Sequence, residues 1–242
     1  MNPLFTELKE IQPYVVGILF AMIYLAEHLL PQRRDLIDYK HDFINILIGL
    51  LNLIIAGLGG YVLILCLSYA ESRHFGLLNY LPFYLQLAVG LLLSDLFMYW
   101  WHRLNHQLPF LWRFHQFHHT DTKLNTTSAV RFHYIELIIS YLIKIPVFML
   151  LGVSPLVVIL YNFIFLPIVI LHHSNIRISP FIDHLLRHFV VSPRMHRTHH
   201  SVLIHETNSN YSSVLPYWDK LFKSYRNDPS REIAFGIDKQ EN

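Results

Sequence analysis

The stretch FINILIGLLNLIIAGLGGYVLILCLSYA, residues 43–70, decides the fold of this chain. It runs for 28 residues without a charged side chain, whereas about 20 apolar residues of α-helix are enough to cross the hydrocarbon core of a bilayer. We therefore interpret it as a membrane-spanning helix. The rest of the chain fits that setting, because 53% of its 242 residues are hydrophobic and only 15% are charged, against about 25% charged residues in an ordinary soluble domain.

Four further apolar runs lie on either side of this stretch. Residues 14–31 and 81–101 are each long enough to span a bilayer, while residues 137–151 and 156–171 are shorter and are interrupted by a lysine and two prolines. The shorter pair predicts either two full crossings or one re-entrant hairpin. We expect an all-α, polytopic membrane protein with four or five membrane helices and a cytoplasmic histidine-rich helical cap, formed as a single domain over residues 1–242.

The basic residues predict the orientation of the spans. If five segments cross, 16 of the 19 Lys and Arg residues fall on one side, in residues 32–42, 102–136 and 172–242. The positive-inside rule places this side in the cytoplasm. No basic region precedes the first apolar run, so we expect a retained span and not a secretory signal. The net charge of +2, without a basic stripe, argues against a nucleic-acid partner.

Histidine is the anomaly in the composition, because the chain has 17, as many as its Asp and Glu residues together. Eight of them form three groups on the cytoplasmic side, in HRLNH at 102–106, HQFHH at 115–119 and HRTHH at 196–200. Positions i, i+3 and i+4 share one helix face, so each group can direct its imidazoles to one point. Neutral imidazole is the commonest metal ligand, and about four ligands fill one site. Eight histidines therefore favour two metal ions close together.

Isolated histidines receive no role in this interpretation. A lone histidine on an apolar face is more often a satisfied core or interfacial residue than a ligand, and this applies to His28, His41 and His74. The sequence leaves metal binding open at four other histidines, which are His172, His184, His188 and His205.

The three motifs, in this order and at these separations, resemble the HxxxH, HxxHH and HxxHH signature of the fatty acid hydroxylase/sterol desaturase superfamily of membrane di-iron oxygenases. The resemblance extends to Asp95 before the first motif, to TTSAVRFHYIE at 126–136, to HSN at 173–175 and to NYSSVLPYWDKLFKSY at 210–225. It covers roughly residues 90–226. The RFH and HSN segments look most like bacterial members described as sterol desaturases, and they are also similar to the alkylglycerol monooxygenases.

This resemblance implies a ligand set and a reaction. The positions that match the family's metal-binding histidines are His102, His106, His115, His118, His119, His133, His173, His196, His199 and His200. The implied cofactors are two iron ions, which zinc can replace during purification, with O2 as co-substrate. The implied reaction hydroxylates or desaturates a C–H bond of a membrane lipid, which is a sterol, a fatty acyl chain or an ether lipid. The implied location is a bacterial inner membrane.

The reaction also needs two external electrons. The sequence contains no glycine-rich dinucleotide motif and no Cys-rich cluster motif. We therefore expect a separate electron-donor protein, or a reduced pterin if the similarity to the alkylglycerol monooxygenases is the closer one.

Ligated imidazole needs a hydrogen-bond acceptor for its other ring nitrogen, and carboxylates often serve. Asp95 lies two helical turns before His102 on the same face, so we place it in the catalytic site as such a partner, together with Asp219. Glu136 and Asn210 are weaker candidates. Two alternatives stay open, a membrane zinc metallohydrolase and a catalytically inactive family member. The hydrolase is disfavoured because no glutamate follows the first histidine of any motif, as it does in HExxH enzymes.

Overall fold

The structure is a computed structural model that describes residues 3–227 and 231–237. Within these residues the regular elements are all helical, and the β-pairing is limited to two isolated bridges. The all-α prediction is confirmed. The α-helices of the described residues are α1 (Pro3–Leu29), α2 (Tyr39–Ser72), α3 (Phe83–Gln107), α4 (Pro109–His119), α5 (Tyr134–Leu151), α6 (Pro155–His173), α7 (Pro180–Leu186), α8 (Pro193–His199), α9 (Ile204–Thr207) and α10 (Tyr217–Leu221).

Five of these helices, α1, α2, α3, α5 and α6, are long and apolar enough to cross a membrane. The prediction of an integral membrane protein with four or five spans is confirmed. The shorter pair has 18 and 19 residues, which corresponds to about 27 and 28 Å at about 1.5 Å per residue. These lengths match a hydrocarbon core of about 30 Å.

α5 runs beside α2 over its whole length. Near its start, Asn52 of α2 donates hydrogen bonds to two carbonyl oxygens just before α5, at 3.0 and 2.9 Å. Half-way along, the Tyr141 hydroxyl donates to a carbonyl of α2 at 3.0 Å. At the far end, Gly152 packs against Gly76, both at positive φ, and a Cβ on either would meet backbone atoms of the other. Residues 137–171 therefore lie in two helices that are each long enough for a full crossing, and the first of them packs along α2.

The histidine motifs gather at one end of this bundle. α3 continues to Gln107, beyond the predicted limit at residue 101, because a helix does not end where its apolar run ends. Its last two turns carry the first motif. Leu108 alone separates α3 from α4, and Pro109 begins the new helix because proline lacks the N–H that a continued α3 would need. The second motif ends α4, and the segment after α6 folds back over both.

Candidate metal centre

Nine of the ten histidines predicted as ligands come together in two adjoining groups. The first group contains His102, His106, His115, His119 and His199, and the second contains His118, His173, His196 and His200. Within each group, one ring nitrogen from every member lies within 4.8 Å of all the others. The groups meet where the rings of His119 and His200 stack, with their centroids 4.4 Å apart. We refer to them below as the five-histidine group and the four-histidine group.

Short helical segments deliver these side chains from four places in the chain. α3, α4 and α8 carry the three motifs, and His173 is the last residue of α6. α8 begins with Ser192, whose hydroxyl accepts a hydrogen bond from the Met195 N–H at 3.3 Å, followed by Pro193. Ser and Pro at these positions favour a helix start. α8 thereby turns His196 inward from its first helical turn, and seven of the nine histidines are 2% exposed or less.

Backbone carbonyls orient two imidazoles of the five-histidine group. The Nδ1 atom of His102 donates to the Tyr211 carbonyl at 2.8 Å, and that of His199 donates to the Ser209 carbonyl at 2.7 Å. A carbonyl can only accept, so each Nδ1 carries the proton and each Nε2 is left with a lone pair. This is the tautomer that a metal ligand requires, and it is fixed before any ion binds.

Glu136 is the carboxylate partner of one histidine of the five-histidine group. Its Oε1 atom lies 2.9 Å from Nδ1 of His115, and both side chains are buried. Asp95, which was predicted to bond to a histidine of the first motif, does not do so. Asp95 accepts hydrogen bonds from the Tyr161 hydroxyl at 2.8 Å, the Trp218 indole at 2.7 Å and the Leu215 N–H at 3.1 Å.

The prediction that Asp95 orients His102 is therefore wrong. Two helical turns place the residues on one face, but they also separate them by about 10 Å along the axis, which a carboxylate cannot span. Asp219 acts through the backbone instead of on a histidine. It accepts from the N–H groups of Tyr211 at 2.8 Å and Ser212 at 2.9 Å, and so fixes the carbonyl that His102 uses.

The four-histidine group contains one contact between ring nitrogens, from His118 to His173, that hydrogen bonding cannot explain. Nε2 of His173 lies 3.1 Å from Nε2 of His118 and 3.0 Å from that of His196, which is 3.1 Å from that of His200. The Nδ1 atoms of His118 and His173 donate to carbonyls at 3.0 and 2.7 Å. Both Nε2 atoms therefore hold lone pairs that face each other. Four nitrogens about 2.0–2.1 Å from one tetrahedral ion would be about 3.3 Å apart, so a cation fits between them.

Buried ring nitrogens without a hydrogen-bond partner indicate that a cation would fit in both histidine groups. Atoms buried without a hydrogen-bond partner are Nε2 of His106, His115 and His199, both ring nitrogens of His119, and Nδ1 of His196 and His200. Leaving such groups unsatisfied costs about 1–3 kcal/mol each. A metal ion would satisfy those that point inward. A donor set made only of imidazole suits iron, zinc, copper or nickel and does not by itself distinguish them.

Burial keeps five of the motif histidines neutral. Removal from water lowers the pKa of the His118, His119, His196 and His200 imidazoles well below the usual value of 6.5. The same cause lowers the pKa of His199 to about 3, with the hydrogen bond to Ser209 opposing the shift. Neutral imidazole is the form that binds metal, so protons do not compete for these sites near pH 7.

His133 lies outside both groups, contrary to the prediction. Its Nδ1 accepts a hydrogen bond from the Ile135 N–H at 3.2 Å and caps α5, and its ring packs against Phe114 and Phe117. Capping explains the position, because His133 directly precedes the helix. His172 is buried and stacks on His196 with centroids 3.9 Å apart, yet it joins neither group. Three other histidines are exposed and outside the groups, namely His184, His188 and His205.

A buried polar network behind the four-histidine group was not predicted. His41 lies 2.6 Å from an oxygen of Asp121, and Asn45 donates to the other oxygen at 3.1 Å. Asn45 in turn accepts from the Arg131 guanidinium at 3.0 Å, and the Arg131 carbonyl holds His118. His41 has its hydrogen bonds satisfied, as predicted. Its partners connect it through hydrogen bonds to His118 of the four-histidine group. The one signal in the sequence is the presence of polar residues at the start of the otherwise apolar α2.

Fold and site together define a polytopic membrane protein with two adjoining histidine groups, each of which could hold a metal ion. Residues 87–224, more than half of the chain, match the family model described as Fatty acid hydroxylase, and the chain belongs to that family. The resemblance stated from the motifs is confirmed.

The chain is similar to three curated lipid-modifying proteins. It is 36% identical over 152 residues to the ornithine lipid hydroxylase OlsE of Rhizobium tropici, which covers 61% of this chain and 44% of that protein. It is 27% identical over 150 residues to the alkylglycerol monooxygenase of Homo sapiens, covering 59% and 31%. It is 28% identical over 137 residues to the Delta(7)-sterol 5(6)-desaturase ERG3B of Gibberella zeae, covering 55% and 39%. The matches span less than half the length of these relatives, and no solved structure matches the chain.

Proposed function

We propose that this protein is a membrane-bound oxygenase that holds two iron ions and uses O2 to hydroxylate or desaturate a C–H bond of a membrane lipid. The observation that carries the proposal is the pair of all-histidine groups, each with one ring nitrogen per member within 4.8 Å of the others, together with the facing acceptor nitrogens of His118 and His173. Membership of the fatty acid hydroxylase family supports the reaction class. The names of the relatives, two oxygenases and a desaturase that act on lipids, support the substrate class.

The chain's own residues bind and orient the cofactor. When bound, two iron ions supply the activation of O2 that an unactivated C–H bond requires. The five-histidine group would hold one ion and the four-histidine group the other. Tyr211, Ser209 and Glu136 keep the proton on Nδ1 of their histidines, so each Nε2 stays available. Burial of the rings excludes water, which protects a reactive site from side reactions.

The balance of the reaction determines what must be supplied. Each turnover reduces O2 with two external electrons. Hydroxylation consumes two protons, leaves one oxygen atom in the lipid and releases one molecule of water. Desaturation also consumes two protons, takes two hydrogen atoms from the lipid and releases two molecules of water. We propose that the electrons come from a donor protein or a reduced pterin.

The position of the pockets suits a lipid substrate. They lie where α3 and α6 reach the end of the bundle, so an apolar chain can approach from the bilayer without entering water. The excess of Lys and Arg on this side supports a cytoplasmic location. A sterol, a fatty acyl chain and an ether lipid all remain compatible with this site.

Metal analysis of a histidine variant tests the proposal. We expect about two iron ions per chain in protein expressed with iron and purified in mild detergent. His118→Ala should lose metal and all activity, because it removes one of the four proposed ligands of the four-histidine group. Lipid analysis of cells with and without the protein supplies the activity readout. The matched control is His205→Ala, since His205 is exposed on α9 and outside both groups.

Two results would contradict the assignment. One is a His118→Ala protein with normal metal content and full activity. The other is wild-type protein that binds a single zinc ion under iron-replete conditions and leaves cellular lipids unchanged, which would favour the hydrolase or the inactive family member.

A further inference from the structure

An open cavity of about 640 Å³ lies where α1 and α6 leave the membrane. Its lining residues are Gln32, Arg177, Ile178, Ser179, Pro180 and Arg194. The segments after the two spans are bonded together, because the Gln32 N–H donates to the Asn175 carbonyl at 2.7 Å and the Arg177 N–H donates to the Leu30 carbonyl at 2.8 Å. Gln32 and Arg177 follow the ends of their helices by only three or four residues. The cavity is therefore at the depth of lipid head groups.

The cavity is strongly basic. A smaller cavity of about 130 Å³ shares Gln32 and Arg194 with it and adds Arg33, Arg197 and Arg231 to the lining. Two of these arginines are neutralised, since Arg33 pairs with Asp35 and Glu232, and Arg231 pairs with Glu206.

Two other arginines form no ion pair within the described part of the chain. Arg197 donates to the carbonyls of Ser174 and Ile176 at 2.8 and 3.3 Å, which are neutral groups. The exposed guanidinium of Arg177 has no ion pair among residues 3–227 and 231–237. The site therefore presents positive charge to whatever enters it. Arginine forms bidentate hydrogen bonds with phosphate oxygens, so the geometry suits a phosphate group.

The rim of the cavity is apolar on the side of α7. Three apolar side chains of this helix are exposed, Phe181 (77%), Ile182 (50%) and Leu185 (53%), and so is Phe189 (65%), three residues after the helix ends. The opposite face is fixed to the cap, because the buried Asp183 accepts from the Arg194 N–H at 3.2 Å and pairs with Arg187. An apolar stripe beside basic residues is typical of a helix that lies in the membrane interface.

We propose that this cavity binds the anionic head group of a membrane phospholipid, with Arg177 on the phosphate and the apolar side chains of α7 among the acyl chains. A lipid accounts for both halves of the surface, whereas a free anion would leave the apolar rim facing water. The exposed side chains of Leu29 and Leu30 continue the same lipid-facing surface from α1. This binding is separate from the lipid oxidation and needs no metal.

Titration with phosphatidylglycerol tests the site. The full-length protein in detergent micelles is titrated with phosphatidylglycerol, phosphatidylcholine or inorganic phosphate, and the midpoint of thermal unfolding is followed to obtain each affinity. We expect phosphatidylglycerol to bind best. Arg177→Gln should weaken its binding about tenfold or more, because one charge-assisted contact is lost. The phosphatidylglycerol affinity of Arg177→Lys should fall between those of the wild type and Arg177→Gln, because lysine keeps the charge but not the bidentate geometry.

The matched control is Arg113→Gln, which removes one exposed positive charge from α4 without touching the cavity. It should bind phosphatidylglycerol as the wild type does. The proposal is overturned if Arg177→Gln binds the lipid normally, if phosphatidylcholine binds as well as phosphatidylglycerol, or if inorganic phosphate alone reproduces the whole effect. The thermal unfolding transition itself shows whether each variant folds, and because this binding needs no metal, the result is separate from the fate of the oxygenase proposal.

Discussion

At the scale of single residues, the partners of the histidines determine which nitrogen is free to bind metal. Most of these partners are carbonyls, and Glu136 is the carboxylate among them. A carboxylate raises the basicity of the ring more than a neutral carbonyl does, and loss of such a partner typically costs about 10–100-fold in metal affinity. The His115 and Glu136 pair is therefore where one substitution outside the ligand set changes the site most.

We expect Glu136→Gln to lower metal affinity by about 10–100-fold while the protein still folds. A chelator competition assay on purified protein measures this directly. Asp95→Asn is the matched control, because Asp95 is equally buried but bonds to Tyr161, Trp218 and Leu215. It should lower the thermal midpoint and leave metal affinity unchanged. Equal metal affinities of Glu136→Gln and wild type would show that Glu136 does not support metal binding.

At the scale of helices, sequence patterns predicted what depends on local spacing. Apolar runs predicted four or five spans, and the i, i+3, i+4 spacing selected eight histidines that the fold brings together. Sequence patterns gave wrong predictions where tertiary contacts determine the partner of a side chain. Asp95 shares a face with His102 but bonds to a segment 120 residues later, and His133 caps a helix. The carbonyl partners were beyond prediction, because every residue carries a carbonyl and only folding selects one.

The turn between α5 and α6 offers a test at this scale. Gly152 has φ of 76°, and a Cβ there would meet backbone of Gly76 at 2.9 Å. We expect Gly152→Ala to destabilise the protein by about 1 kcal/mol or more, seen as a lower thermal midpoint. Metal affinity should not change, because the turn lies at the end of the bundle away from the histidines. Gly57→Ala is the control, since a Cβ at Gly57 has no atom within 4 Å. A Gly152→Ala protein as stable as wild type would contradict this packing.

At the scale of the whole molecule, the metal centre is the place where distant parts of the chain meet. The four-histidine group draws one member each from α4 and α6 and two from the segment around α8. Bound metal would therefore tie the cap to two elements of the bundle. Without metal, the same histidines are neutral and buried, and the cap is held by hydrogen bonds such as those from Trp218 and Leu215 to Asp95. The effect of burying these histidines on the free energy of unfolding can therefore be measured in the metal-free protein.

Acid should destabilise that metal-free form. Burial lowers the pKa of His199 to about 3 in the folded protein, against 6.5 for an ordinary histidine. Between these values the unfolded chain binds more protons than the folded one, so the free energy of unfolding falls as pH falls below about 6.5. Denaturant titrations of chelated protein at pH 7.5, 6.5 and 5.5 should show this decline. His199→Gln, which cannot take up that proton, should decline less steeply, and a stability independent of pH would show that the histidines are not buried in the neutral form.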